Sequence, residues 1–275
     1  MVQIYLGFPN GSKFADLSAK LRLSEQITKL FNIIRCNLSE IFLNFALDMS
    51  NSYFRFKQFT IHQEHCAMKV GTDGTLLGAW ARGGERILDI GTGTGLIALM
   101  MAQRFPHAQV VGIDIDGPAC QQALENVTAS PFHNQVQIHH LSLQNYTDDL
   151  FDSIVCNPPF FVHSLSCPDD QRTTARHAES LTYADLFQGV VRLLRAEGEF
   201  SAVIPTECRD SFDAEAILSG LSPVAECAIK TAPHKSPRRY LLSYRKTPSP
   251  SYVRDELTIG SEAYVEMMKD FYLSY

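Results

Sequence analysis

A chain of 275 residues is long enough for one large domain with an extension, and far too long to depend on staples. With 45% hydrophobic and 20% charged residues it has the composition of a globular protein with a sizeable core, which excludes global disorder. A net charge of −6 excludes a uniformly basic nucleic-acid coat but leaves room for local basic patches. The seven cysteines form no C-x-x-C pair, so neither a zinc site nor a redox pair is expected; they read as reduced thiols of a cytoplasmic protein. The apolar run from Ile41 to Leu47 falls far short of the ~20 residues that cross a bilayer, and no membrane span is expected.

In chain order, residues 1–48 come first. Leu23, Ile27, Leu30, Ile33 and Ile34, then Ile41, Phe42 and Phe45, fall at helical spacing, predicting a helical N-terminal extension. Met49 stands at its end, and the expectation is that the native start is Met49, the first 48 residues being an optional or misassigned leader before the domain of residues 49–275, with a genuine packed helical appendage as the alternative. Strand and turn signals take over from Tyr53. Within Met68 to Trp80, Asp73 is the expected helix N-cap, with Leu76, Leu77 and Trp80 facing a core.

From Arg86 onward, short apolar runs alternate with amphipathic segments, as in βαβ units around a mostly parallel sheet. Strands are predicted at Arg86–Ile90, Gln109–Asp114, Val136–Leu141, Phe151–Cys156, Glu199–Ile204, Val224–Lys230 and Tyr240–Arg245. Helices are predicted at Gly95–Arg104, Pro118–Thr128, Tyr183–Leu194 and Asp210–Leu218. The expected architecture is an α/β, seven-stranded, Rossmann-like sheet with helices on both faces and an antiparallel last strand. Pro248 and Pro250 break the chain before a final amphipathic segment, Glu262 to Leu273.

Two places along this pattern carry chemistry. In Ile87-Leu88-Asp89-Ile90-Gly91-Thr92-Gly93-Thr94-Gly95-Leu96 an apolar strand feeds a glycine turn that opens a helix. Glycines permit tight turning and close approach of a ligand, and the helix N-terminus offers free N–H groups and a positive dipole end. The next strand ends at Asp114, where a carboxylate can accept from both ribose hydroxyls, each charge-assisted bond contributing roughly 1.5–3 kcal/mol. Position 96 is Leu where the nicotinamide fingerprint needs glycine, and no G-K-[ST] follows for a P-loop.

The second place is the strand Phe151–Cys156 running into Asn157-Pro158-Pro159-Phe160. Consecutive prolines fix φ and remove backbone donors, leaving a stiff turn rich in acceptors. The Asn157 side-chain oxygen and the Pro158 carbonyl can take both hydrogens of one planar –NH₂ group. Its nitrogen, otherwise deactivated by delocalisation, is thereby pushed toward a nucleophilic, tetrahedral form. Phe160 supplies a face on which a flipped base can stack, worth ~1–3 kcal/mol in single-stranded systems.

The glycines at 91, 93 and 95 preceded by Asp89, the acid at Asp114 and the Asn157 turn together resemble class I S-adenosylmethionine-dependent amino-methyltransferases acting on adenine or on glutamine amides. Phe59-Thr60-Ile61-His62-Gln63, the stretch Met68 to Trp80, and Ala175-Arg176-His177 are similar to the bacterial tRNA1(Val) (adenine-37) N6-methyltransferase family, from about Phe54 to Lys246. The resemblance implies S-adenosylmethionine as cofactor, with Asp89 helping to hold its amino-acid end and Gly91, Gly93, Gly95 and Asp114 around it. Where such enzymes often place an acid beside the adenine of the cofactor, this chain offers Ser142. The substrate implied is an unpaired adenine in the anticodon loop of tRNA, with Asn157, Pro158 and Phe160 at the reacting amine. Release-factor glutamine methylation is the alternative, although Phe160 stands where those enzymes typically carry Tyr; a cofactor-binding RNA chaperone without turnover is another. Arg172 and Arg176, with Lys235, Arg238 and Arg239 in a run free of acids, are the expected RNA contacts. His177 reads as structural, and a monomer is expected.

Overall fold

The computed structural model describes residues 52–64, 66, 69–147, 150–158 and 181–273. The expectations for residues 1–48, for Met49 as the start, and for Pro159, Phe160, Arg172, Arg176 and His177 lie outside the described residues.

The chain opens with a hairpin, β1 (Tyr53–Arg55) and β2 (Thr60–His62), paired antiparallel with Tyr53 opposite His62 and Arg55 opposite Thr60. Helix α1 (Thr72–Trp80) follows. Then β3 (Arg86–Ile90), α2 (Leu96–Arg104), β4 (Gln109–Asp114), α3 (Gly117–Thr128) and β5 (Val136–His140) form two successive βαβ units of the kind expected. The second half comprises β6 (Phe151–Cys156), α4 (Tyr183–Leu193), β7 (Leu194–Pro205), α5 (Arg209–Leu218), β8 (Ser222–Lys230), β9 (Arg239–Arg245), β10 (Val253–Thr258) and α6 (Glu262–Met268).

Strands β3 to β10 make one sheet in the order β10-β8-β9-β7-β6-β3-β4-β5. All neighbouring pairs are parallel except those of β9, which runs antiparallel to both β7 and β8. The mostly parallel sheet and its antiparallel strand over residues 239–245 are as the sequence predicts. The sheet has eight strands rather than seven, because β10 adds to the edge beyond β8. Val253-Arg254-Asp255-Glu256 are all exposed and only Leu257 is buried, so this strand lacks the apolar alternation that reveals the others. Charges on an edge strand block further pairing, which is why they are there and why the pattern hides it.

Burial follows strand alternation, as period-two geometry requires. Ile87, Val110 and Val155 face a core shared with α1, α2, α6 and the hairpin, whereas Leu88, Ile90, Val111, Ile154 and Cys156 face a second core under α4 and α5. In that second core Phe187, Phe200, Phe212 and Tyr244 pack ring against ring, with centroids 4.8–6.4 Å apart. Such aromatic contacts add to the area burial of each ring.

One expectation about α1 is corrected. Its N-cap is Gly71, with extended backbone and no side-chain cap, and Asp73 lies inside the first turn instead. The Asp73 carboxylate is taken by Arg239, whose Nε donates to Oδ2 at 2.8 Å. Leu76 and Leu77 are fully buried as expected. Among the described residues no helix is long and apolar enough to cross a membrane, and no group of three or more His, Cys, Asp or Glu side chains could hold a metal ion.

Candidate active site

The chain builds β3, β4 and β5 outward in one direction and then returns to place β6 on the other side of β3. Ligands bind at such a reversal, outside the carboxyl ends of the strands, because the two flanking connections leave in opposite directions and open a crevice. Ile90 is the register partner of Cys156. Gly91 and Asn157 therefore leave the sheet side by side, about one strand spacing, ~4.8 Å, apart. Sequence separates them by a whole βαβαβ passage; the sheet brings them together.

Gly91, Gly93 and Gly95 have φ of +69°, +53° and +80°, a region in which any Cβ is strained. Gly95 is the N-cap of α2 in left-handed conformation, so the predicted helix begins one residue later, at Leu96. The turn is clasped from β4: the N–H groups of Gly91 and Thr92 both donate to the Ile113 carbonyl, at 2.9 and 3.0 Å, and the Gly93 N–H donates to Asp114 Oδ2 at 2.9 Å. A Cβ built on Gly91 would meet nothing within 4 Å, and one on Gly93 would meet only the Gly91 carbonyl oxygen at 4.0 Å. The turn thus faces open space.

Asp89 lies beneath it, fully buried. Its Oδ2 accepts from Thr92 Oγ1 at 2.7 Å and from the Ala98 N–H at 3.1 Å, tying strand, turn and helix together. Its Oδ1 is buried without a hydrogen-bond partner among the described residues. Burial pushes this carboxyl up to about 7, against the hydrogen bonds from Thr92 and Ala98 and with some help from the nearby Asp114 charge. Two acids and an open glycine cradle suit a ligand carrying positive charge, as S-adenosylmethionine does at its sulfonium and ammonium groups.

Asp114, half-buried at the end of β4, accepts from Gly93 through Oδ2 and from the Asp116 N–H through Oδ1, at 3.0 Å. Asp116 in turn is the N-cap of α3. Ser142 lies just beyond β5, half-buried, and its carbonyl accepts from the N–H groups of Asn145 and Tyr146. The Leu141 N–H donates to the Asp114 carbonyl at 2.9 Å, placing Ser142 one residue from the Asp114 end of β4. Two apolar side chains that sequence reasoning passed over flank this point: Ile115 is 54% exposed and Leu141 37%. An isoleucine directly after a strand-ending acid was a readable signal, since a core residue has no reason to stand there.

Asn157 is half-buried and Pro158 buried. The Asn157 Oδ1 atom is itself shut off from solvent.

Of the predicted RNA contacts, Lys235, Arg238 and Arg239 lie at the same end of the sheet. Lys230 ends β8 and Arg239 begins β9, opposite Pro205 at the carboxyl end of β7, so the turn carrying Lys235 and Arg238 projects from the edge that bears Gly91 and Asn157. Lys235 and Arg238 are exposed, whereas Arg239 is half-buried and engaged with Asp73.

A family model described as the methyltransferase small domain matches residues 74–212. A tRNA1(Val) (adenine(37)-N6)-methyltransferase of Bacteroides thetaiotaomicron is 46% identical over 235 residues, covering 82% of this chain and 99% of that protein. A protein of the same name from Parabacteroides distasonis is 46% identical over 236 residues, covering 82% of this chain and 99% of the other. Among solved structures, a predicted O-methyltransferase from Agrobacterium tumefaciens shares the fold with a TM-score of 0.53 at 18% identity, covering 72% of this chain and 94% of that one. A glycine turn against Asn157 at the sheet reversal, acids suited to a sulfonium cofactor, and this degree of identity lead to one conclusion: the chain belongs to the methyltransferase small-domain family, among the tRNA1(Val) (adenine(37)-N6)-methyltransferases.

Proposed function

We propose that the protein transfers a methyl group from S-adenosylmethionine to the exocyclic amine of adenine 37 in the anticodon loop of tRNA1(Val). The observation that carries this reading is the Ile90–Cys156 register, which sets the turn between Asp89 and α2 beside Asn157. The names of relatives 46% identical over 82% of the chain support the substrate.

In this reading the cofactor supplies an electrophilic methyl on a sulfonium. The protein's part is binding and alignment. Gly91 and Gly93 let the backbone approach closely, Asp89 sets a negative charge beneath the turn, and Asp114 accepts from ribose hydroxyls with the lone pairs left over after its bonds to Gly93 and Asp116. Ile115 and Leu141 give apolar contact beside it for an adenine ring, whose edge Ser142 meets through its hydroxyl. On the acceptor side, the Asn157 side-chain oxygen and the Pro158 carbonyl take the two amine hydrogens, keeping the nitrogen lone pair aimed at the methyl. Once the nitrogen has attacked it is cationic and loses its proton readily, so no strongly basic side chain is needed. Phe160 stacks on the flipped base, which in an unpaired loop leaves its neighbours at lower cost than in a duplex.

The test is incubation of the full chain with methyl-labelled cofactor and tRNA1(Val) transcripts bearing A or G at position 37, with release factor in a parallel tube. Label in the A37 transcript alone is expected. Label in release factor, or equal label in both transcripts, overturns the reading.

A further inference from the structure

The β1–β2 hairpin has two unlike sides. Phe54, Phe56, Phe59 and Ile61 turn inward, with Phe56 and Phe59 stacked at 4.7 Å, and the last three are buried. Outward stand Tyr53, Arg55, Lys57 and His62, all exposed. Tyr53 and His62 are direct cross-strand partners with ring centroids 6.0 Å apart. Among the described residues Arg55 makes no ion pair. Residues 52–63 contain no acid; Glu64 is the first to follow. The hairpin's apolar contacts lie on the inward side; of the outward cations, Lys57 donates through Nζ to the Lys269 carbonyl at 2.5 Å, which leaves two of its three N–H groups for another partner.

The position of this face is fixed by Asn126, buried on α3. Its Nδ2 donates to the His62 carbonyl and to the Thr94 carbonyl, each at 2.9 Å, while its Oδ1 accepts from the His62 N–H at 2.9 Å. One side-chain amide thus joins the end of the hairpin to the glycine turn. From there the outward residues lead away from the crevice: Tyr53 and Arg55 are about 7 Å apart along the strand. At the far end Lys57 and Arg104 border a recess of about 480 Å³, together with Asp270. Burial lowers the Arg104 guanidinium to about 10; it is held on the carbonyls of Gly78 and Ala81.

We propose that the outward face of the β1–β2 hairpin is an RNA-binding strip that takes the single-stranded nucleotides flanking the methylated base, stacking one on Tyr53 and His62 and pairing the phosphates with Arg55 and Lys57. Stacking on aromatic rings and tracking of the backbone by cations is how unpaired RNA is held without sequence readout. The strip begins at His62, which Asn126 ties to the glycine turn, so a loop whose target base enters the crevice can lay its neighbours on this face. Lys235 and Arg238, projecting from the same edge of the sheet, are a separate set of contacts. The inference rests on an RNA substrate.

The experiment uses the full chain with Tyr53→Ser, Tyr53→Phe, Arg55→Gln and Arg55→Glu. Binding of a fluorescent anticodon stem–loop of tRNA1(Val), its salt dependence, cofactor binding, and kcat and KM for tRNA are measured. Tyr53→Ser is expected to weaken RNA binding about tenfold and Tyr53→Phe to restore it. Arg55→Gln should flatten the slope of log affinity against log salt by about one ion, with Arg55→Glu weaker still. Cofactor affinity and kcat at saturating tRNA stay at wild-type levels, and only KM rises. Unchanged RNA affinity and salt slope in the variants overturn the strip while leaving the methylation reading intact. A wild-type protein that binds the stem–loop through Tyr53 and Arg55 yet transfers no methyl overturns the methylation reading alone; one that binds no RNA overturns both.

Discussion

The backbone N–H of Gly93 donates to Asp114 Oδ2 at 2.9 Å, so the acid that ends one strand also holds the turn that follows its neighbour. Asp114 therefore clasps the turn, and in the proposed function it also accepts from the cofactor. Asp114→Ala is expected to weaken S-adenosylmethionine binding roughly 10- to 100-fold, from the loss of charge-assisted bonds worth about 1.5–3 kcal/mol, and to lower the thermal midpoint as well. Asp114→Asn keeps an acceptor and should recover most of the stability but not the affinity. Calorimetric titration and thermal unfolding of the two variants separate these effects.

Asn157 directly follows the strand that pairs with β3, whereas the glycine turn is clasped from β4. In Asn157→Ala, cofactor affinity should stay within about twofold of wild type while kcat on tRNA falls at least ~100-fold, the scale for losing one aligned hydrogen-bonding group at a reacting centre. A loss of cofactor binding equal to the loss of turnover would instead make Asn157 a scaffold residue.

Asp89 gives a pH signature. Its carboxyl stands at about 7 in the folded chain against an ordinary 3.8, so between those values the native state binds more protons than the unfolded one. Stability from this group is fully present below about pH 4 and is lost as pH rises through 7. In Asp89→Asn that decline is expected to vanish, so plots of thermal midpoint against pH for the two proteins should converge at low pH and part toward neutrality. A cationic cofactor favours the ionised carboxylate, so its affinity for wild type should climb as pH passes 7, and not for Asp89→Asn.

Gly91 separates strain from occupancy. At a φ of +69° an alanine costs about 1–2 kcal/mol of stability, and its Cβ enters open space rather than protein. Gly91→Ala should fold, melt several degrees lower, and lose more cofactor affinity than that drop explains. Gly95→Ala, whose Cβ would stand 3.4 Å from that of Ala123, should lose stability chiefly.

The basic edge divides in two. Lys235→Gln and Arg238→Gln are expected to lower tRNA affinity and to reduce the salt slope by about one each, with cofactor affinity unmoved. Arg239→Gln breaks a half-buried ion pair with Asp73 and should cost about 1 kcal/mol of stability, visible by denaturant titration without RNA.

Much of this was readable before any coordinates. Strands at 86–90, 109–114 and 151–156 are apolar runs bounded by turns, and buried parallel strands can hardly look otherwise. Glycine imposes its conformation locally, which is why the turn at 91–95 could be named from residues alone. The edge strand at 253–258 escaped because its charges serve to block pairing rather than to fill a core. Asp73 was misread as a cap because its partner, Arg239, is 166 positions away. Asn126 could not be recognised at all: an asparagine inside a helix carries no local mark of the two carbonyls it joins. The sequence by itself determined most of the elements and the glycine turn, since each depends on a few neighbouring residues. Only the tertiary structure decided that Ile90 lies against Cys156, that Asn126 ties a hairpin to the glycine turn, and which cations are spoken for, because hydrogen-bond register and charge pairing are set by distances between segments that sequence does not contain.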